Sequence, residues 1–111
     1  MKKIEVVKSS DEFNTIINKG KVKKNNAFNI FVFKNSEHSV FPKFGIAVSK
    51  KNANAVYRNK NKRQIRNIVD KNKKDFKNDY KYIIMVKRDG IKMSFEEKEK
   101  KLIELIGEIN E

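Results

Sequence analysis

With 111 residues, no cysteine and a formal charge of +13, the chain is expected to be a single domain over residues 1–111, without disulfides or thiolate metal sites. Eight Phe and three Tyr among 38% apolar residues argue against a disordered chain, and the charge predicts an anionic partner, nucleic acid before an acidic membrane. "MKKIEVVKSSDEF" has no long apolar run behind its lysines, so it reads as neither a signal peptide nor a membrane span, and the expected location is the cytoplasm.

The first predicted element is a short helix. Ser9 and Glu12 have capping-box spacing, Phe13, Ile16 and Ile17 then share a face, and Gly20 offers a stop. "KGKVKKNN" reads as a polar, basic connection. "FNIFVF", Phe28 to Phe33, is β-branched and aromatic enough for a strand, with Phe28, Ile30 and Val32 pointing one way and Asn29, Phe31 and Phe33 the other.

"NSEHSVFP" carries turn residues and the only proline, and "FGIAVS", Phe44 to Ser49, reads as a second strand, most simply a hairpin partner of the first. From about Asn54 to Phe76 the period becomes helical, with Ile65, Ile68, Val69 and Phe76 on one side. Tyr80 to Val86 gives a third strand, expected to return parallel to the second as a βαβ unit, and "RDG" a turn. Ser94 and Glu97 open a last helix with Leu102, Ile103, Leu105, Ile106 and Ile109 inward. The expectation is an α+β fold, an α-β-β-α-β-α sandwich with one small mixed sheet.

The charge is concentrated in the middle third. Residues 43–74 carry eleven Lys and Arg against Asp70 alone, whereas residues 75–111 carry eight against nine acids. An A- and T-rich genome by itself enriches Lys, Asn and Ile, but three of the four arginines, Arg58, Arg63 and Arg66, fall within nine residues. At about 100° per residue Lys62, Arg66, Asn59 and Arg63 share an arc beside the apolar one. Residues 50–67 contain no acid to form the i,i+4 pairs of a merely solvated helix, so the unrelieved repulsion points to a polyanion. Phe28, Phe31, Phe33 and Phe44 are most simply core. A small sheet struggles to bury both faces, however, and Phe31 with Phe13 can then stack on unpaired bases. His38 reads as a surface residue, and neither a nucleophile nor a Gly-rich phosphate loop is present.

The run "FGIAVSKKNANAVYRNKNKRQIRN", Phe44 to Asn67, closely resembles the signature of the bacterial ribonuclease P protein component. The resemblance extends to "DEFNTIINKG", "AFNIFVF", "DYKYIIMVK" and "SFEEKEKKLIELI", nearly the whole chain. It implies an α-β-β-α-β-α fold with a left-handed βαβ crossover, like the second domain of a ribosomal small-subunit protein, against the usual right-handed rule. It further implies the small subunit of a ribonucleoprotein whose RNA, with Mg2+ bound mainly by that RNA, removes the 5′ leader of precursor tRNA, while the protein carries no catalytic residue, grips the leader and helps the complex bind metal ions. Arg58, Asn59, Lys60, Lys62, Arg63 and Arg66 would contact the catalytic RNA. Phe13, Ile17, Asn29, Phe31, Ser49, Lys50 and Lys51 would line the leader cleft. The sequence departs from the commoner pattern at Lys60, where arginine is usual, at Ile17, where a second aromatic is frequent, at Asn29, where an apolar residue is frequent, and at Ala53, which replaces a glycine.

Read without the resemblance, a small ribosomal-type RNA-binding protein is the strongest rival. A DNA-binding helix-turn-helix is disfavoured by strands on both sides of the basic helix, and a membrane-surface helix by an apolar arc without Trp. A protein-only nuclease lacks a carboxylate cluster.

Overall fold

The computed structural model describes residues 6–7, 9–34, 42–49, 51, 53–77 and 79–109. Helix α1, Ser10–Lys19, starts where the sequence places it, with the Ser9 hydroxyl accepting from the Glu12 N–H at 3.0 Å. Strands β1 (Lys21–Lys24), β2 (Phe28–Lys34), β3 (Lys43–Val48) and β4 (Tyr80–Val86) form one mixed sheet in the order β1-β2-β4-β3. Helix α2, Ala55–Lys71, connects β3 to β4, a one-turn helix α3, Arg88–Ile91, follows, and α4, Phe95–Ile109, closes the chain.

The α+β class and the parallel β3-α2-β4 unit stand as read, with β3 and β4 pairing from Lys43↔Lys81 to Val48↔Val86. Three local expectations need correction. The stretch read as a basic connection holds β1, an edge strand of four exposed residues that pairs antiparallel with β2. Its three lysines carry no apolar alternation, and charge of that kind protects a sheet edge from further pairing. The expected hairpin between Phe28–Phe33 and Phe44–Ser49 does not form, because β4 lies between them, antiparallel to β2 and parallel to β3. β4 carries the longest apolar run and is buried on both faces through Tyr82, Ile83, Ile84 and Val86, so a central position buries the most surface. "RDG", read as a turn, is the start of α3, whose Gly90 lies against the Ala27 carbonyl too closely for a Cβ. The segment holding His38 lies outside the described residues.

One face of the sheet carries the main core. Phe28 and Ile30 of β2, Phe44 and Val48 of β3, and Tyr82, Ile84 and Val86 of β4 pack against Ile65, Ile68 and Val69 of α2 and Leu102, Leu105 and Ile106 of α4. Phe76 falls after α2, not within it, and joins Phe44 edge-on at 4.7 Å and Tyr82 at 5.2 Å between ring centroids. The Tyr82 hydroxyl accepts from the Lys77 N–H at 3.0 Å, and burial raises its pKa above the usual 10.0.

Among the described residues the one fully buried charged side chain is Lys98 of α4, 1% exposed, whose Nζ donates to Gln64 Oε1 at 2.5 Å. Burial, and then the nearby charge of Lys60, lower its pKa from 10.5. The folded state therefore releases this proton more readily than the unfolded chain, so stability rises with pH as Lys98 deprotonates, up to about 10.5. Lys98→Met removes the desolvation cost; it is expected to raise the melting temperature by about 5 °C at neutral pH and to flatten the alkaline rise in stability. Thermal melts of both proteins between neutral and alkaline pH check this, and an unchanged pH profile contradicts it.

Candidate nucleic-acid interface

Among the described residues α1 is the one helix on the second face of the sheet. Ile16 and Ile83 are buried beneath that helix with Val7, and Phe13, Ile17, Phe31 and Phe33 pack around them half-buried. Glu12 ties α1 down, its Oε1 lying 2.9 Å from Lys81 Nζ and 3.8 Å from Lys43 Nζ. Gly45 lets Phe13 settle onto the sheet, since a Cβ there would stand 2.6 Å from Ile83 Cδ1 and 3.1 Å from the Phe13 ring.

Beyond Phe31 no described helix covers the face. The register places Lys24, Asn29, Met85 and Ala47 in one cross-strand row on this face, none fully buried. Asn29 Oδ1 is shielded yet has no hydrogen-bond partner. The row is a polar and apolar floor with Phe13, Ile17 and Phe31 as one wall. Ser49 lies two residues beyond Ala47, exposed, its hydroxyl accepting from the Lys51 N–H at 3.1 Å. Of the seven cleft residues named from sequence, six are described, and Phe13, Ile17 and Phe31 share one cluster. Lys50 lies outside the described residues.

Helix α2 supplies the cations. Its N-cap is Asn54, whose side chain accepts from the Tyr57 N–H at 3.1 Å, and no acid occupies its first turn. Asn59, Lys60, Arg63 and Arg66 are exposed and Lys62 is half-buried. Arg58 turns back, donating from Nη1 to the Ala53 carbonyl at 3.1 Å, which leaves only part of its fork outward. Among the described residues none of these cations has an ion pair. The contrast with the helix end is direct: there Lys71 meets Glu99 at 3.4 Å, and Asn72 donates to the same carboxylate at 3.2 Å. Charge is balanced where α2 packs on α4 and left unbalanced over its first three turns.

The two surfaces meet. A groove of about 140 Å³ on the β3 edge is lined by Val6, Val7, Phe13, Gly45, Lys62 and Arg66, so two cations of α2 and the wall aromatic of the open face border one space. Sequence reasoning missed this junction, because Phe13 and Lys62 belong to separate elements with no local signal linking them. It also missed Met85 and Ala47 as floor residues, although a period of two from Ile83 and Gly45 places them on the open face.

Among the described residues no group of three or more His, Cys, Asp or Glu side chains could hold a metal ion. Nor is any described helix long and apolar enough to cross a membrane.

A four-stranded mixed sheet, helical layers of unequal size and a helix whose first three turns carry unpaired cations define a small basic α+β domain. The Ribonuclease P family model matches residues 1–110. A ribonuclease P protein component of Mycoplasma mycoides is 43% identical over 110 residues, covering 98% of this chain and 99% of its own length, and one of Bacillus cereus is 36% identical over 103 residues, covering 93% and 89%. Among solved structures, the ribonuclease P protein of Staphylococcus aureus superposes with a TM-score of 0.86 at 28% identity, covering 95% of this chain and 94% of that one. That of Thermotoga maritima gives 0.84 at 25%, covering 94% and 96%. The chain belongs to the ribonuclease P protein component family.

Gly45→Ala tests the seat of Phe13. The added methyl is expected to push the ring and Ile83 aside and destabilise the fold by about 1–2 kcal/mol, a fall in melting temperature of roughly 5–10 °C. The Phe13 ring resonances should shift while those of α2 stay in place. An unchanged melt with unmoved Phe13 signals contradicts the packing described.

Proposed function

We propose that this chain is the protein subunit of a ribonuclease P ribonucleoprotein, acting in the cytoplasm on the 5′ leader of precursor tRNA. The observation that carries the reading is the junction on the β3 edge, where unpaired cations of α2 and the aromatic wall of an open sheet face share a groove in a member of this family. Asn59, Lys60, Lys62, Arg63, Arg66 and the outward part of Arg58 hold phosphates of the catalytic RNA. Arg63 and Arg66 can each present a bidentate fork, whereas Lys60 offers a point charge. The α2 N-terminus adds free N–H groups and a positive dipole end for an approaching phosphate.

The single-stranded leader lies along the open face. Its bases stack against Phe13 and Phe31, and Lys51 and Lys50 neutralise its backbone. The bound Mg2+ of the RNA supplies the Lewis-acid chemistry of phosphodiester hydrolysis. The protein positions the leader and screens repulsion between two polyanions, a task that needs cations and stacking surfaces and no acid–base pair.

Two variants separate the surfaces. Arg63→Ala with Arg66→Ala is expected to weaken binding of the catalytic RNA about tenfold or more and to lower the log–log salt slope by about 1.5, with the melting temperature unchanged. Phe31→Ala is expected to leave that assembly nearly intact while reducing the preference for precursor over mature tRNA roughly 5- to 150-fold, the worth of one stacked base. Salt-titrated binding and competition assays read both. RNA binding unchanged in a folded arginine variant removes the α2 contact, and equal loss of both activities on Phe31→Ala makes that ring structural.

A further inference from the structure

A second basic concavity lies away from both surfaces. At the end of the sheet where β1 begins, β2 ends and β4 begins, a groove of about 620 Å³ is lined by five lysines, Lys19, Lys21, Lys23, Lys34 and Lys77, with Tyr80 and Ile109. The register explains the convergence. Lys21 and Lys23 stand opposite Val32 and Ile30, and Lys34 opposite Tyr80, so these lysines point to one face around the last turn of α4. Lys77 lies over the Tyr80 ring at 5.7 Å.

No described acid forms an ion pair with any of the five. Lysines near a helix C-terminus have a bland role in balancing its dipole. Here the described lining holds five lysines and no acid, while the helix end supplies about half a negative charge and Asp79 and Glu108 are the described acids next to lining residues in sequence. The excess is large, and it borders a groove with a half-buried aromatic.

Position identifies the occupant. The groove is at the β1 edge, whereas α2 packs along β3 at the other edge, so the two basic surfaces are roughly 15 Å apart across the sheet and up to about 20 Å along it. The open face proposed for the leader points to the other side of the sheet. A polyanion that touches both basic surfaces crosses the side of the sheet packed by α2 and α4, away from the open face, which fits the backbone of a large RNA better than a leader lying on that face. All five cations are lysines, which attract backbone phosphate without the fixed geometry of an arginine fork.

We propose that this groove is a second docking surface for the phosphate backbone of the catalytic RNA, so that the subunit is gripped at both edges of its sheet. The proposal rests on the function proposed above. The test is binding of the full chain to the catalytic RNA across a salt series, comparing wild type, the triple variant Lys21→Gln, Lys23→Gln, Lys34→Gln, and the pair Arg63→Ala, Arg66→Ala. The triple variant is expected to bind 5- to 10-fold more weakly with a slope lower by about 2, and to multiply with the arginine pair. Because the chain has no cysteine, Lys23→Cys carrying a photo-crosslinker gives an independent readout, expected to capture the catalytic RNA. If the triple variant binds like wild type while the arginine pair is weakened, the groove proposal is overturned and the functional reading stands. If neither set weakens binding, the functional reading fails and takes the groove with it. Crosslinking to precursor tRNA instead of the catalytic RNA overturns the assignment of the occupant.

Discussion

A sheet has two faces, and in this chain the helices cover them unequally. The 17-residue α2 and 15-residue α4 seal one face around Phe28, Phe44 and Tyr82, while the ten-residue α1 is the one described helix on the other. Glu12 and Gly45 hold α1 over the rows at Phe33 and Phe31, and the row through Asn29, Met85 and Ala47 is left partly open. The exposed floor follows from that shortage of cover. It gives a small basic protein a stacking surface without an extra domain.

The electrostatics follow the same division of labour. α4 is rich in acids and takes up the charge at the end of α2 through Glu99, whereas the first three turns of α2 face no acid among the described residues. Packing uses the stripe of Asn61, Ile65, Ile68 and Val69, so the rest of the circumference is free to carry cations. One helix therefore belongs to the core and to the interface at once. Substitutions on its two sides are expected to separate cleanly into stability and binding.

Much of this was legible in the residues themselves. Ser9, Asn54 and Ser94 mark helix starts because short polar side chains satisfy free N–H groups, and each sits where that chemistry places it. The alternation in "FNIFVF" assigns Phe28 and Ile30 to the core and Phe31 to the other face, as the burial confirms. What was not legible depends on partners distant in sequence. β1 is a strand only because β2 pairs with it and Asn25 closes the turn, its Oδ1 accepting from the Ala27 and Phe28 N–H groups. The insertion of β4 between β2 and β3 is a property of the whole sheet, and the meeting of Phe13 with Lys62 and Arg66 follows from it. Lys98 was hidden for a related reason: "EEKEKK" reads as surface ion pairs until Gln64 of α2 is seen to take its ammonium group.

The central claim is that this chain lets a ribonuclease P RNA process precursor tRNA under conditions where the RNA alone does not. The direct measurement is cleavage of a precursor tRNA at low magnesium by a bacterial ribonuclease P RNA, with and without the protein. The account predicts that adding the protein restores cleavage at the mature 5′ end. Tight RNA binding without any gain in cleavage, with a cognate RNA present, would contradict it and leave a ribosomal-type RNA-binding domain as the better description.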